Sequence, residues 1–158
     1  MKRRLLFLFA VFMVGASVGW GQMIPTYYKV AVGTGGDGSS AGSPIYKANL
    51  EAALSDAALS SLDSVIILLP EGEYSANAAP YSITKSSLAI IGEGDTSTVT
   101  IKSPVDIELT NGGNVSFQKV HLTAKTSTGR GVVDIKSSKT TVSFSESKIT
   151  IEGRGTGD

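Results

Sequence analysis

Short apolar segments alternate with clusters of glycine, serine, asparagine and aspartate over most of the chain after residue 64. Within these segments the apolar residues recur at every second position, as in Val115-Ser-Phe117 and Val142-Ser-Phe144. A period of two places alternate side chains on opposite faces of a strand, whereas a helix needs a period of 3.6 residues. The pattern therefore predicts many short β-strands, each with one buried face.

These strand patterns repeat. Val105-Asp-Ile107 returns as Val133-Asp-Ile135 at an offset of 28, and Val115-Ser-Phe117 returns as Val142-Ser-Phe144 at an offset of 27. Three short strands in a unit of this length are expected of one coil of a right-handed parallel β-helix, whose equivalent residues stack about 4.8 Å apart. A β-sandwich is the alternative, but it does not require matching tripeptides at near-constant spacing. We therefore favour the β-helix.

The repeat offsets predict which residues stack. Three apolar ladders are expected inside the β-helix: Ile83/Ile107/Ile135, Ile90/Phe117/Phe144 and Ile101/Leu122/Ile149. The residues between them would point outward and are mostly polar: Ala89/Ser116/Ser143 and Thr100/His121/Lys148. The predicted fold class is all-β, a right-handed parallel β-helix of about four coils over residues 63–158, with an N-terminal capping α-helix.

The region before the repeat has a different pattern. Within residues 22–43, a strand is predicted over Tyr27–Val32, followed by a glycine-rich loop. A helix is predicted within 44–62, because Ser43 suits an N-cap and Pro44 the first helical position. Apolar residues recur at helical spacing and would cover the open end of the first coil: Leu50, Ala53, Leu54 and Ala57.

The glycine-rich loop contains a formal dinucleotide-binding pattern, G-x-G-x-x-G, at Gly33, Gly35 and Gly38. In that motif the helix must begin at the glycines, so that its N-terminus meets the pyrophosphate. Here Pro44 lies six residues beyond Gly38 and no further βα units follow. A surface loop is therefore the favoured interpretation.

Residues 1–21 have the three-part layout of a secretory signal peptide. Basic residues at positions 2–4 precede the apolar run Leu5–Val14, and small residues permit cleavage after Gly21. The apolar run is shorter than the roughly 20 residues of a membrane span, so we expect no span after cleavage. The expected location is secreted, or the cell surface and outer envelope.

The amino-acid composition excludes several classes of functional site. The chain has no cysteine, which excludes disulfides, thiol nucleophiles and cysteine-ligated metals. Its 14 basic residues balance 14 acidic ones, so no basic face for nucleic acid is expected.

Three segments together resemble the opening of the pectin lyase-like superfamily: Asn49-Leu-Glu-Ala-Ala-Leu54, Asp63-Ser-Val-Ile-Ile-Leu-Leu-Pro-Glu-Gly-Glu-Tyr74 and Leu88-Ala-Ile-Ile-Gly-Glu-Gly94. The resemblance implies a β-helix opened by an amphipathic helix. It does not carry an activity, because Ala76 stands where pectin methylesterases continue with Glu, and the catalytic motifs of that family find no match.

Asp106 and Asp134 are the candidate metal site, because matching positions on neighbouring coils would bring their carboxylates together. The resemblance implies calcium, which polysaccharide lyases of this fold bind through acids on stacked strands. Two carboxylates are too few to hold a calcium ion, and Lys136 is close enough in sequence to neutralise their charge. We therefore favour a solvated turn edge at these positions, with no cofactor required. Glu108 and Lys136 would form an opposite-charge pair between coils.

The remaining candidates carry weaker signals. His121 is the only histidine and has no triad partner by motif, so we expect an exposed side chain. Arg130 and Arg154 lie in glycine-flanked turns, where an arginine can bind a carboxylate but is usually solvated. Asp37 lies in the glycine loop without the calcium-binding nonapeptide around it.

No complete catalytic constellation is present in the sequence. The first hypothesis is a surface or adhesive module that presents polar ladders to a polysaccharide, a surface glycan or a partner protein. The second is the non-catalytic start of a polysaccharide-active enzyme, like a pectate lyase or a pectinesterase. Both expect the β-helix to continue beyond Asp158, because no capping segment follows Ile151.

Overall fold

The computed structural model describes residues 25–59, 64–75, 81–83, 87–102, 105–109, 113–125, 133–135 and 140–152. One helix and thirteen strands lie in these ranges. The helix is α1 (Leu50–Leu59). The strands are β1 (Thr26–Val30), β2 (Ile45–Lys47), β3 (Ser64–Leu69), β4 (Gly72–Ser75), β5 (Tyr81–Ile83), β6 (Ser87–Gly92), β7 (Val99–Lys102), β8 (Val105–Leu109), β9 (Gly113–Gln118), β10 (His121–Lys125), β11 (Val133–Ile135), β12 (Thr140–Ser145) and β13 (Lys148–Glu152).

The fold is mostly β, and in the described part of the chain the strands form three sheets, which we call A, B and C. Sheet A has the order β12-β9-β6-β3-β1-β2, sheet B the order β13-β10-β7-β4, and sheet C the order β11-β8-β5. Every strand pair is parallel. From β3 onward the chain visits sheets A, B and C in turn, so neighbouring strands of a sheet are three strands apart in the chain.

The predicted stacking is confirmed in two ladders and in part of the third. Phe117 pairs with Ile90 on one side and Phe144 on the other. Leu122 pairs in the same way with Ile101 and Ile149. In sheet C, the predicted pair of Ile107 and Ile135 is present.

The prediction that Ile83 stacks on Ile107 is wrong. Tyr81 pairs with Ile107, and Ile83 pairs with Leu109. The shift is two residues, an even number, so the strand moves along its neighbour without exchanging its two faces. The tripeptide repeat does not extend to β5, so the sequence held no marker for this register.

One hydrophobic core joins sheets A and B to the helix. It contains Tyr28, Val30, Leu50, Ala53, Leu54, Val65, Ile67, Leu69, Leu88, Ile90, Val99, Ile101, Val115, Phe117, Val120 and Leu122. Three of the four residues of the predicted helical face belong to it, and the side chain of the fourth, Ala57, lies outside the described residues.

The helix begins later than the sequence pattern predicts. Residues Ile45–Lys47, expected to be helical, form β2 and pair with β1, as suits a β-branched and an aromatic residue. The N-cap is Asn49, whose Oδ1 accepts a hydrogen bond of 2.7 Å from the amide of Ala52. An ion pair of 2.8 Å between Lys47 Nζ and Asp56 Oδ2 joins β2 to the helix.

The glycine-rich loop folds back on β1. The amide of Tyr27 donates to the carbonyl oxygen of Gly38, and the amide of Gly38 donates to that of Ser43, both at 2.8 Å. Gly36 has a φ of 91°, and a Cβ there would overlap the carbonyl oxygen of Pro44. The helix starts at Leu50 rather than at the glycines, so the loop lacks the geometry of a dinucleotide site.

Candidate binding surfaces

The outward side chains of β3, β6, β9 and β12 form a regular surface, which we call the sheet A face. Along β6 and β9, and along β3 as far as Ile67, its side chains alternate with fully buried ones. Every side chain of β12 is exposed or half-buried. Two rungs run across the strands, Ser64/Ser87/Asn114/Thr141 and Ile66/Ala89/Ser116/Ser143. Neighbouring residues of a rung are about 4.8 Å apart, the spacing between paired strands.

The chemistry of the sheet A face changes along the rungs. At β9 and β12 it consists of hydroxyl and amide groups, and within the described residues the side chains of Asn114 and Ser116 have no hydrogen-bond partner. Toward β1 it becomes apolar, with Ile66 and the half-buried ring of Tyr27 paired in register. This surface offers hydrogen-bonding groups on β9 and β12, and an aromatic ring on β1 three strands, or about 14 Å, away from β9.

The outward side chains of sheet B form a second surface, the sheet B face, which carries charge. Lys102 Nζ lies 2.6 Å from Glu73 Oε2 across β4 and β7. His121 Nε2 lies 2.8 Å from Thr150 Oγ1, and the pKa of His121 is lowered by partial burial and by the nearby Lys148 ammonium. The charges of Lys102 and Glu73 neutralise each other.

His121 therefore differs from the sequence expectation. It is half-buried and hydrogen-bonded to a neighbouring strand rather than fully exposed. No carboxylate contacts its ring among the described residues, so the structure brings no base or acid partner to it.

Two of the turns that join sheet A to sheet B, β9–β10 and β12–β13, have the same form. Lys119 and Glu146 occupy equivalent positions, with φ of 54° and 50°. Their Nζ and Oε2 atoms are 3.9 Å apart. Ser147 supports both turns, because its hydroxyl lies 3.2 Å from the carbonyl oxygen of Phe117 and 2.9 Å from that of Ser145. The repeat thus extends to the backbone conformation of the turns, because both residues have the left-handed φ that is uncommon outside glycine.

The predicted acid pair has the expected backbone register. Asp134 pairs directly with Asp106 between β11 and β8 of sheet C. Their side chains lie outside the described residues, so calcium binding remains a prediction. Among the side chains that the structure does describe, no group of three or more acidic or histidine residues converges as metal ligands would.

Of the other predicted site residues, most lie outside the described residues and one, Asp37, lies within them. Arg130, Arg154 and Lys136 lie outside the described residues, as does the side chain of Glu108. Asp37 is described, and its Oδ1 accepts hydrogen bonds from the hydroxyl and amide of Ser39, at 2.6 and 3.0 Å. These bonds, with one to Ser43, lower the pKa of Asp37 to about 2. Asp37 therefore stabilises its own turn.

The repeat pattern predicts only part of the sheet A face. Ala89, Ser116 and Ser143 are expected to point outward from their repeat positions, whereas the rung through Asn114 and the contribution of Tyr27 were not predicted. The signal was present, because Asn114 precedes Val115 by one position and must share the face of Ser116.

No family model, no curated protein and no solved structure matches this chain. Among the residues described, no helix has the length and apolarity to span a membrane.

Proposed function

We propose that the chain is an exported right-handed parallel β-helix module that binds a glycan on the sheet A face. The β-helix is supported by the cyclic visits to three parallel sheets and by the offset of 27 between Phe117 and Phe144. Right-handedness follows the strong preference of parallel crossover connections. Packing of α1 into the core of sheets A and B suits a capping helix.

Export is proposed from residues 1–21, which lie outside the described residues. The mature N-terminus is expected at Gln22. Mass spectrometry of the protein recovered from the envelope or medium tests this directly. Recovery of chains that retain the apolar run Leu5–Val14 would contradict it.

The observation that carries the binding function is the uncharged polar surface that the two rungs form where they cross β9 and β12. Extended glycans present hydroxyl groups at regular intervals, and aligned side-chain hydroxyls and amides can bond them without burying a charge. The ring of Tyr27 adds an aromatic surface of the kind that fixes ligands in largely apolar sites. The polar side chains of β9 and β12 would confer specificity. The ring of Tyr27 would add contact area.

A glycan array followed by calorimetry on the best binder tests the proposal. Asn114→Ala should weaken binding roughly three- to tenfold, which corresponds to the loss of one or two hydrogen bonds. Tyr27→Ala should weaken it as well. Thr123→Ala, on the sheet B face, is the matched control and should leave the affinity unchanged. No binding to any glycan, or equal losses in all three variants, would overturn the proposal.

The module is proposed to bind without turnover. Acid–base chemistry on a sugar needs a positioned proton acceptor and stabilisation of developing charge, and the side chains that the structure describes form no such set. Pectate and methylated pectin, with and without Ca²⁺, should give no unsaturated product and no methanol. Turnover that is lost on Asp134→Asn would instead identify the stacked acids as a catalytic site.

A further inference from the structure

A third outward rung crosses sheet A and begins with a charged side chain. It runs from β1 to β12 as Lys29/Leu68/Ile91/Gln118/Ser145. Lys29 alternates with the buried residues Tyr28 and Val30, so its side chain leaves β1 on the outward side. The outward residues of β3, β6, β9 and β12 are all described, and all of them are uncharged. Lys29 is therefore the strand residue that could bring charge to a ligand on the sheet A face.

The charge of Lys29 is neutralised by Glu93. Lys29 Nζ lies 2.8 Å from Glu93 Oε2, and the two side chains are 28% and 33% exposed. Glu93 directly follows β6, and its amide donates a hydrogen bond of 2.8 Å to the carbonyl oxygen of Leu69 at the end of β3. The ion pair therefore reaches from β1 to the end of β6, across the intervening β3.

Leu68 lies between the two partners of this ion pair. It pairs in register with Lys29 on one side and with Ile91 on the other, and strand alternation places it outward. Leu68 is nevertheless only 7% exposed. A Lys29 side chain that passes over Leu68 toward Glu93 accounts for this burial, because the apolar stem of a lysine can cover an apolar neighbour. The ion pair is thus part of the surface that a ligand would contact.

The lysine that borders the face at β9 is also opposed by an acid. Lys119 Nζ lies 3.9 Å from Glu146 Oε2, in the turns that follow β9 and β12. A ligand on the rungs thus meets hydroxyl, amide and apolar groups, together with lysines that already have partners. A carboxylate bound there would lose hydration without gaining a free cation, whereas the hydroxyl groups of a neutral sugar would exchange one hydrogen bond for another.

We infer that Glu93, by neutralising Lys29, makes the sheet A face selective for uncharged glycans over uronates, a selectivity that rests on the glycan binding proposed above. Glu93 is then a specificity-determining residue. Its carboxylate removes the one attraction that the strands of this face would offer to an acidic sugar.

An array of paired oligosaccharides tests the selectivity. Homo-oligosaccharides of glucose, mannose and galactose are each printed in the neutral form and after oxidation of C6 to the uronate. The full chain should bind at least one neutral form about tenfold more tightly than its oxidised counterpart. Equal or tighter binding of the oxidised form would overturn the selectivity and leave glycan binding in place. Binding to none of the forms would overturn the glycan-binding function itself, and the selectivity with it.

Glu93→Gln tests the ion pair through a gain of binding. The variant leaves the ammonium of Lys29 without its partner, so the affinity for the oxidised form should rise about three- to tenfold. The affinity for the neutral form should change by less than about twofold, which also shows that the variant is folded. The gain should disappear at about 1 M salt, where the Debye length falls to about 3 Å.

Two control variants separate this effect from a change in net charge. Glu71→Gln removes an equal charge from the neighbouring β3–β4 turn, where Glu71 Oε1 accepts a hydrogen bond of 3.3 Å from the hydroxyl of Thr98, and should give no gain. Lys29→Gln/Glu93→Gln removes both charges and should give no gain either. No gain in Glu93→Gln, an equal gain in Glu71→Gln, or a gain that persists in the double variant would overturn the role of Glu93.

Discussion

Phe117 allows a quantitative test of the internal ladder. Its side chain is fully buried, whereas Phe144, one strand outward in the same ladder, is 44% exposed. The two rings are stacked, with centroids 5.4 Å apart and planes inclined by 13°. Replacing each with alanine removes the same atoms from two positions that differ mainly in burial.

The expected losses follow from burial. A phenylalanine that buries 150–250 Å² at about 25 cal/mol per Å² contributes roughly 4–6 kcal/mol, an upper bound because unfolded chains are partly compact. Phe117→Ala should therefore lower the free energy of unfolding by about 3–5 kcal/mol. Phe144→Ala should lower it by roughly half as much, because about half of its surface is already exposed.

Urea unfolding followed by circular dichroism measures both losses. The double variant should show a coupling of about 0.5–1.5 kcal/mol between the stacked rings. Equal losses at the two positions, or a loss below about 1 kcal/mol for Phe117→Ala, would refute the assignment of Phe117 to the core.

Three further substitutions probe other parts of the fold by the same unfolding assay. Asn49→Ala should cost about 1 kcal/mol through loss of the helix cap, while Asn49→Ser should be nearly neutral. Gly92→Ala should cost about 1–3 kcal/mol or more, since the new Cβ would overlap the carbonyl oxygen of Lys119, whereas Gly42→Ala meets only an atom 3.9 Å away. The lowered pKa of His121 means that the folded state resists protonation, so stability should fall as the pH drops below about 6.5, and His121→Asn should remove that component.

The sequence predicted the later strands well because each apolar residue there had a repeated partner. Where Val-Ser-Phe recurs at an offset of 27, side-chain period and spacing together specify the register. At β5 only the two-residue alternation of apolar side chains was available. This alternation predicts which residues share a face of the strand, but it does not predict where β5 lies along β8. The wrong pairing of Ile83 with Ile107 preserved the face and missed the position.

The start of the helix was mispredicted because two nearby segments both carry residues that favour a helix N-terminus. Ser43-Pro44 and Asn49 are each acceptable beginnings, and the choice depends on whether Ile45–Lys47 can pair with β1. That pairing is a tertiary interaction, which overrides local propensity and is not visible in the segment itself. By contrast, Tyr74 of the resemblance motif has a local role, because its hydroxyl donates to the carbonyl oxygen of Pro70 at 2.6 Å and closes the turn.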